Sequence, residues 1–153
     1  MPPQKEPHAV ALMMIRDALA AAYGTGYVVR PQLPLHLAKI AKPEPDLAVT
    51  IGAVRDSLES GTPRSAVLVI EISDATLGFD RGRKAAMYAK YQIADYWIMN
   101  LLSRQIEVHR DPIRDRNAPF KYRYASMTIL KAPQNVSPLA APNISMPVAH
   151  LLP

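Results

Sequence analysis

The sequence predicts an α/β domain, and three observations carry that prediction. A helical pattern of apolar residues runs from His8 to about Tyr23, with Gly24 placed to end it. Ala66 to Ile70 is continuously apolar and rich in β-branched residues, as in a central strand buried on both faces. A second helical pattern over residues 80 to 92 is followed by two strand-like runs, Tyr96 to Met99 and Gln105 to His109. At 153 residues the chain has room for one hydrophobic core, so a single domain over residues 1–153 is expected.

In the first helix the apolar stripe is drawn through Val10, Met13, Met14, Asp17, Ala18 and Ala21, with the methionines read as core filling. After Gly26, Tyr27 to Arg30 has strand composition, and Leu33 to Leu37 reads as an edge strand or an irregular extended segment because of its prolines. Pro43-Glu44-Pro45 stiffens the approach to a short strand, Asp46 to Val49, that begins at a carboxylate. Residues 52 to 65 form a polar loop, and the apolar strand that follows is expected to end at Glu71. Asp80 falls near the start of the second helix, where a carboxylate opposes the helix dipole, with Lys84, Tyr88 and Tyr91 near one face. A tight turn from Asn100 to Arg104 joins the next two strands, and Phe120 to Tyr124 alternates aromatic with basic residues. From about residue 132 four prolines forbid long regular elements, though Ile144, Met146 and Val148 can pin an extended segment to the body.

No apolar run approaches the roughly 20 residues of a membrane span, so no membrane association is expected. The N-terminal Lys5 and the run from Ala9 to Ile15 imitate a weak signal peptide, but Glu6, Pro7 and Arg16-Asp17 break the pattern and an amphipathic helix fits better. The chain has no cysteine, which removes disulfides and thiolate zinc sites and fits the reducing cytoplasm. Eighteen basic against 13 acidic residues give a net charge of +5, suited to a polyanionic partner. There is no glycine-rich phosphate loop and no Gly-x-Ser-x-Gly elbow, which argues against a nucleotide cofactor and serine-hydrolase chemistry.

The chemistry is concentrated between Pro45 and Trp97. Asp46 and Glu71, each beside a predicted strand, can hold Mg²⁺ or Mn²⁺ through carboxylate oxygens, with the Ile72 carbonyl as a third donor. Such an ion polarises a phosphodiester and makes hydroxide available at neutral pH. Lys84 then supplies positive charge at the phosphate or the attacking water, with Asp80 one turn earlier to hold it and Ser73 alongside. Each residue also has a plainer role: Asp46 can begin a turn, and Asp80 with Lys84 can be a surface pair worth about 0.3 kcal/mol. Glu71 resists that treatment, because a bare carboxylate closing an apolar strand must be paired, solvated or metal-bound. His8, His36, His109 and His150 lack metal-ligand spacing.

Pro45-Asp46, Val69-Ile70-Glu71-Ile72-Ser73, Phe79-Asp80-Arg81-Gly82-Arg83-Lys84, Tyr88 and Ala94-Asp95-Tyr96-Trp97-Ile98, in that order, resemble the restriction endonuclease family of the Uma type, a branch of the PD-(D/E)XK nuclease superfamily. The resemblance runs from about His8 to Arg110, with Ile144 to Leu152 similar to the family's closing segment. It implies a restriction-endonuclease-like core, a central mixed β-sheet flanked by helices, and a divalent-metal site at Asp46 and Glu71. Where the superfamily pattern places its lysine two residues after the glutamate, this chain has Ser73, so the resemblance points to Lys84 on the following helix. Family members begin with a further helix and hairpin carrying an acidic residue, before the helix that His8 opens. The resemblance therefore implies a chain short at its N-terminus and missing that acidic group.

These observations predict a metal-dependent DNA endonuclease, with DNA as partner and a homodimer suited to cutting two strands. The alternatives are a catalytically weak or inactive nuclease-fold domain used for DNA binding or assembly, and a structural dimer formed through Leu101-Leu102 or the proline-rich tail.

Overall fold

The computed structural model describes residues 5–153. Six strands form one sheet in chain order: β1 (Tyr27–Pro31), β2 (Leu47–Ile51), β3 (Leu68–Ser73), β4 (Asp95–Asn100), β5 (Gln105–Arg114) and β6 (Tyr122–Leu130). All neighbours are antiparallel except β3 and β4. A parallel pair needs a crossover, and here it is helical: α3 (Leu77–Phe79), a π-helical turn (Asp80–Lys84) and α4 (Ala85–Lys90). That crossover covers one face of the sheet. The other face is covered by α1 (Glu6–Tyr23) and by the C-terminal segment. A one-turn helix, α2 (Ser57–Ser60), lies in the β2–β3 loop, and a two-residue pair, β7 (Asn135–Val136) with β8 (Met146–Pro147), organises the tail.

The alternation of side chains along β3 and β4 sorts them between two cores. Leu68, Ile70 and Ile72 join Trp97 and Met99 under α1 and the tail. Val69 joins Tyr96 and Ile98 under α4, with Tyr88, Ala89 and Ile93. All six residues of β3 are buried, as expected of a strand covered on both sides.

Several sequence expectations shift. The buried face of α1 is Ala11, Ile15, Leu19 and Tyr23, while Met13 and Asp17 are exposed. The helix is alanine-rich and apolar over most of its circumference, so contact with β1 and β3 selects the inward face. The strand expected to stop at Glu71 continues to Ser73, because its parallel pairing with β4 extends to Ser73 opposite Asn100. The second helix begins at Leu77 rather than 80, which moves Asp80 from the helix start into the π turn, and Tyr91 falls beyond the end of α4. Leu33 to Leu37 is irregular, and β1 and β6 are the edge strands. The tail is pinned to the body as expected, with Met146 and Val148 buried and Ile144 packed on the core, while of the Leu101-Leu102 pair Leu101 packs on the core and only Leu102 is exposed. No helix among the described residues is long and apolar enough to cross a membrane.

Asp95 fastens the tail to the sheet. Fully buried at the start of β4, it accepts from the Trp97 indole at 2.7 Å, from Arg110 Nε at 3.0 Å and from the Leu139 backbone N–H at 2.9 Å. Arg110 also donates to the Ser137 carbonyl at 2.7 Å. Removing the carboxylate leaves a guanidinium and an indole without their acceptor. Asp95→Ala is expected to cost about 3 kcal/mol in denaturant unfolding, whereas exposed Asp17→Ala changes stability by less than about 0.5 kcal/mol.

Candidate active site

Register brings the two proposed metal carboxylates together. Leu47 pairs with Ile70 in the antiparallel β2–β3 ladder, so one residue further along Asp46 stands opposite Glu71. Asp46 Oδ2 accepts the Ile72 backbone N–H at 2.8 Å, a side-chain bond that continues the ladder past the end of β2. Because a residue's N–H and C=O point to the same edge of a strand, the Ile72 carbonyl faces this same opening.

Glu71 is buried on the α4 side, 2% exposed. Its Oε1 accepts the Tyr88 hydroxyl at 2.9 Å and its Oε2 lies 3.2 Å from Lys84 Nζ. The carboxyl is pushed up to about 8, chiefly by burial and further by the Asp46 and Asp80 carboxylates, against the pull of Lys84 and the Tyr88 hydrogen bond. Lys84 is affected first by burial, which lowers it, but Glu71 and Asp80 more than offset this and hold the ammonium above its ordinary value. The lysine is therefore a fixed cation beside a carboxyl whose ionisation is costly.

The π turn sets this geometry. An extra residue per turn re-aims the side chains, and such turns are frequent at functional sites. Asp80, 1% exposed, binds Lys84 Nζ at 3.2 Å through Oδ1 and accepts the Thr76 hydroxyl at 2.8 Å through Oδ2, while its carbonyl accepts the Tyr96 hydroxyl at 2.9 Å. Asp80 is thus the clamp on Lys84 and does not cap a helix. Ser73 lies two residues beyond Glu71 on the same face, with its Oγ buried and without a partner.

The sequence alone gave no role to several neighbours of this site. His8, reaching round from α1, brings Nε2 to 3.4 Å from Asp46 Oδ2, and its Nδ1 is buried without a partner. Tyr88 orients Glu71. On β5, Glu107 is fully buried and takes both Nε and a terminal nitrogen of Arg81 from the π turn, with His109 Nε2 at 3.4 Å. Glu71, Ile98 and Glu107 occupy one cross-strand row. The helix therefore carries two cations, Lys84 and Arg81, onto two carboxylates two strands apart. The available signal was alternation in Gln105 to His109, which marks Glu107 as polar-facing but cannot show that a helix covers it.

A divalent cation fits the donor set at Asp46, Glu71 and the Ile72 carbonyl. The Asp46 carboxylate already adds to the cost of ionising Glu71, which a cation between them relieves. No three His, Asp or Glu side chains gather into a ready-made cage among the described residues, so water and substrate oxygens would have to complete the coordination.

A family model described as "Uma2: Putative restriction endonuclease" matches residues 1–149. The chain belongs to the Uma2 family. Its fold is similar to the crystal structure of a protein titled a putative nuclease belonging to DUF820 from Anabaena variabilis, with a TM-score of 0.70 at 13% identity, covering 98% of this chain and 82% of that one. No curated protein matches the sequence. In this Uma2 chain the acidic-Tyr-Trp segment is structural: Asp95 and Trp97 face the α1 side, away from Glu71.

The raised Glu71 carboxyl has a consequence for stability. Between its ordinary 4.5 and its folded value of about 8, the folded chain holds a proton that the unfolded chain releases. Its stabilising contribution is complete below 4.5 and is lost as pH rises through about 8. Glu71→Gln, neutral throughout, is expected to remove this decline, so that its Tm gains on the parent's from pH 4.5 to pH 8 in metal-free thermal unfolding. Parallel pH profiles would show that Glu71 does not take up the proton.

Proposed function

We propose that this protein is a metal-dependent endonuclease that hydrolyses DNA phosphodiester bonds. The observation that supports it most is the convergence of Lys84 on buried Glu71 at 3.2 Å, on the strand whose Ile72 is bonded to Asp46. Asp46 and Glu71, with the Ile72 carbonyl, would hold Mg²⁺ or Mn²⁺, which when bound supplies Lewis-acid polarisation and a water acidic enough to act as nucleophile. Tyr88 keeps the Glu71 carboxylate in one orientation, and Asp80 with Thr76 keeps the Lys84 ammonium aimed at it. Lys84 places a fixed positive charge where negative charge builds on the phosphate oxygens. Water oxygen forms the new P–O bond as the bond to the departing sugar oxygen breaks, and the two protons of water end on the products. Ser73 Oγ, buried beside Glu71 without a partner, is a further hydrogen-bond donor on this face.

The net charge of +5 suits a DNA partner. A homodimer would present two such sites to the two strands of a duplex. A nuclease fold that binds DNA without cutting it is the second reading, and the specific observation favouring it is that no three His, Asp or Glu side chains are grouped to hold a metal among the described residues.

Cleavage of plasmid and single-stranded DNA with Mg²⁺ or Mn²⁺ tests the proposal. Cutting is expected from the parent and not after chelation, Asp46→Ala and Glu71→Ala are expected to lose it together with metal binding, and Lys84→Ala is expected to fall about a hundredfold or more. Salt-sensitive DNA binding by a parent that never cuts under either metal would establish the second reading instead.

A further inference from the structure

A second concave site lies on the same face of the sheet, and its chemistry differs from that of the carboxylate pair. A cleft of about 490 Å³ opens between the β1–β2 edge and the loop carrying α2. Its polar lining includes Arg30, Thr50, Ser57, Thr62 and Arg64, with Asp56 as the one acidic group. Two guanidiniums against one carboxylate leave the cleft net positive. The Asp56 carboxylate is already turned toward backbone: its Oδ2 accepts the Ala53 N–H at 2.9 Å and sits over Gly52, where a Cβ would meet it at 2.5 Å.

Arg30 is the informative residue. It is half-buried, yet its guanidinium has no carboxylate partner among the described residues. One terminal nitrogen donates to the Pro34 carbonyl at 3.1 Å, and Nε is shielded from solvent with no acceptor at all. A guanidinium carries five N–H donors in a planar fork matched to phosphate and carboxylate oxygens, so holding one half-buried without an anion is costly. Burial holds Arg30 below its ordinary value, as expected for a cation whose charge nothing compensates. Arg64, exposed on the opposite wall, also lacks an ion-pair partner among the described residues.

Position connects this cleft to the carboxylates. Arg30 pairs with Ala48, a residue of the core under α4, so it shares the face on which Asp46 and Glu71 lie. It stands one strand across and two residues along from Asp46, roughly 8 Å by ordinary sheet spacings. A nucleic-acid strand held at the carboxylate pair and continuing toward the sheet edge would pass over Arg30.

We infer that this cleft is a phosphate-binding subsite in which Arg30 and Arg64, with the hydroxyls of Thr50, Ser57 and Thr62, take a backbone phosphate of the DNA strand next to the scissile position. This rests on the proposed nuclease function for the source of the phosphate, although the anion chemistry of the cleft stands apart from it.

The test is binding of a fluorescent oligonucleotide in EDTA over a range of salt, by anisotropy, for the parent, Arg30→Gln and Arg64→Gln. Beside it runs thermal unfolding with inorganic phosphate. Each variant is expected to bind DNA several-fold more weakly with a salt slope shallower by about one. Phosphate is expected to raise the Tm of the parent and not of Arg30→Gln. The loop variant Arg64→Gln keeps the test decisive should Arg30→Gln fold poorly. If the parent cuts DNA and both variants bind and cut as it does, the subsite is wrong and the nuclease stands. If the parent neither binds nor cuts DNA while phosphate stabilises it through Arg30, the subsite stands for a free phosphate source and the nuclease reading fails.

Discussion

A carboxylate buried in the middle of a six-stranded sheet is the constraint around which one face of this protein is built. Glu71 lies on β3, covered on both sides, and could not remain there without compensation. Tyr88 and Lys84 provide it from the crossover helix, and Lys84 is in turn held by Asp80. The π turn lets Arg81 from the same stretch reach Glu107 on β5. The helix is thus attached to the sheet by two charged contacts in addition to the packing of Ala85, Ala86 and Ala89. An arrangement that leaves a carboxyl reluctant to ionise and beside another carboxylate is poorly optimised for stability and well suited to receiving a cation.

The two faces of the sheet divide structural from chemical work. On the α1 side Asp95, equally buried, has every strong demand met by Trp97, Arg110 and the Leu139 amide, and the product is a tail clamped to the body. On the α4 side more polar groups are incompletely satisfied: Ser73 Oγ has no partner, Asp46 has one backbone N–H with His8 at 3.4 Å, and Arg30 has only a carbonyl, against the unpartnered Tyr23 hydroxyl on the α1 side. Unsatisfied polar groups of this kind call for an explanation that packing alone does not supply. That contrast separates Asp95 from Glu71 more clearly than burial, which is nearly the same for both.

Much of the fold was legible because its elements announce themselves by composition. The apolar run before Glu71 could only be a central strand, and the alternation from Gln105 to His109 could only be a strand with two unlike faces. The helix after β3 was legible as a helix but not in its phase. A π turn leaves no mark in the pattern of Asp80 to Lys84, so the sequence left Asp80 open between a clamp on Lys84 and a helix cap, and the structure makes it the clamp. The first helix failed in the same way: with alanine on nearly every side, its own residues cannot choose the inward face, and β1 and β3 choose it.

Residue chemistry and order alone determined that Asp46, Glu71 and Lys84 were the groups to watch, since a carboxylate closing an apolar strand carries a cost whatever lies around it. Tertiary structure decided which of them meet. Ladder register sets Asp46 opposite Glu71, the crossover brings Lys84 within 3.2 Å, and the strand order puts Glu107 and Arg30 on the same face as both. None of these follows from local sequence, because each depends on contacts between segments far apart in the chain. The same holds for His8 beside Asp46, 38 positions away along the chain and one ion-pair distance away in space.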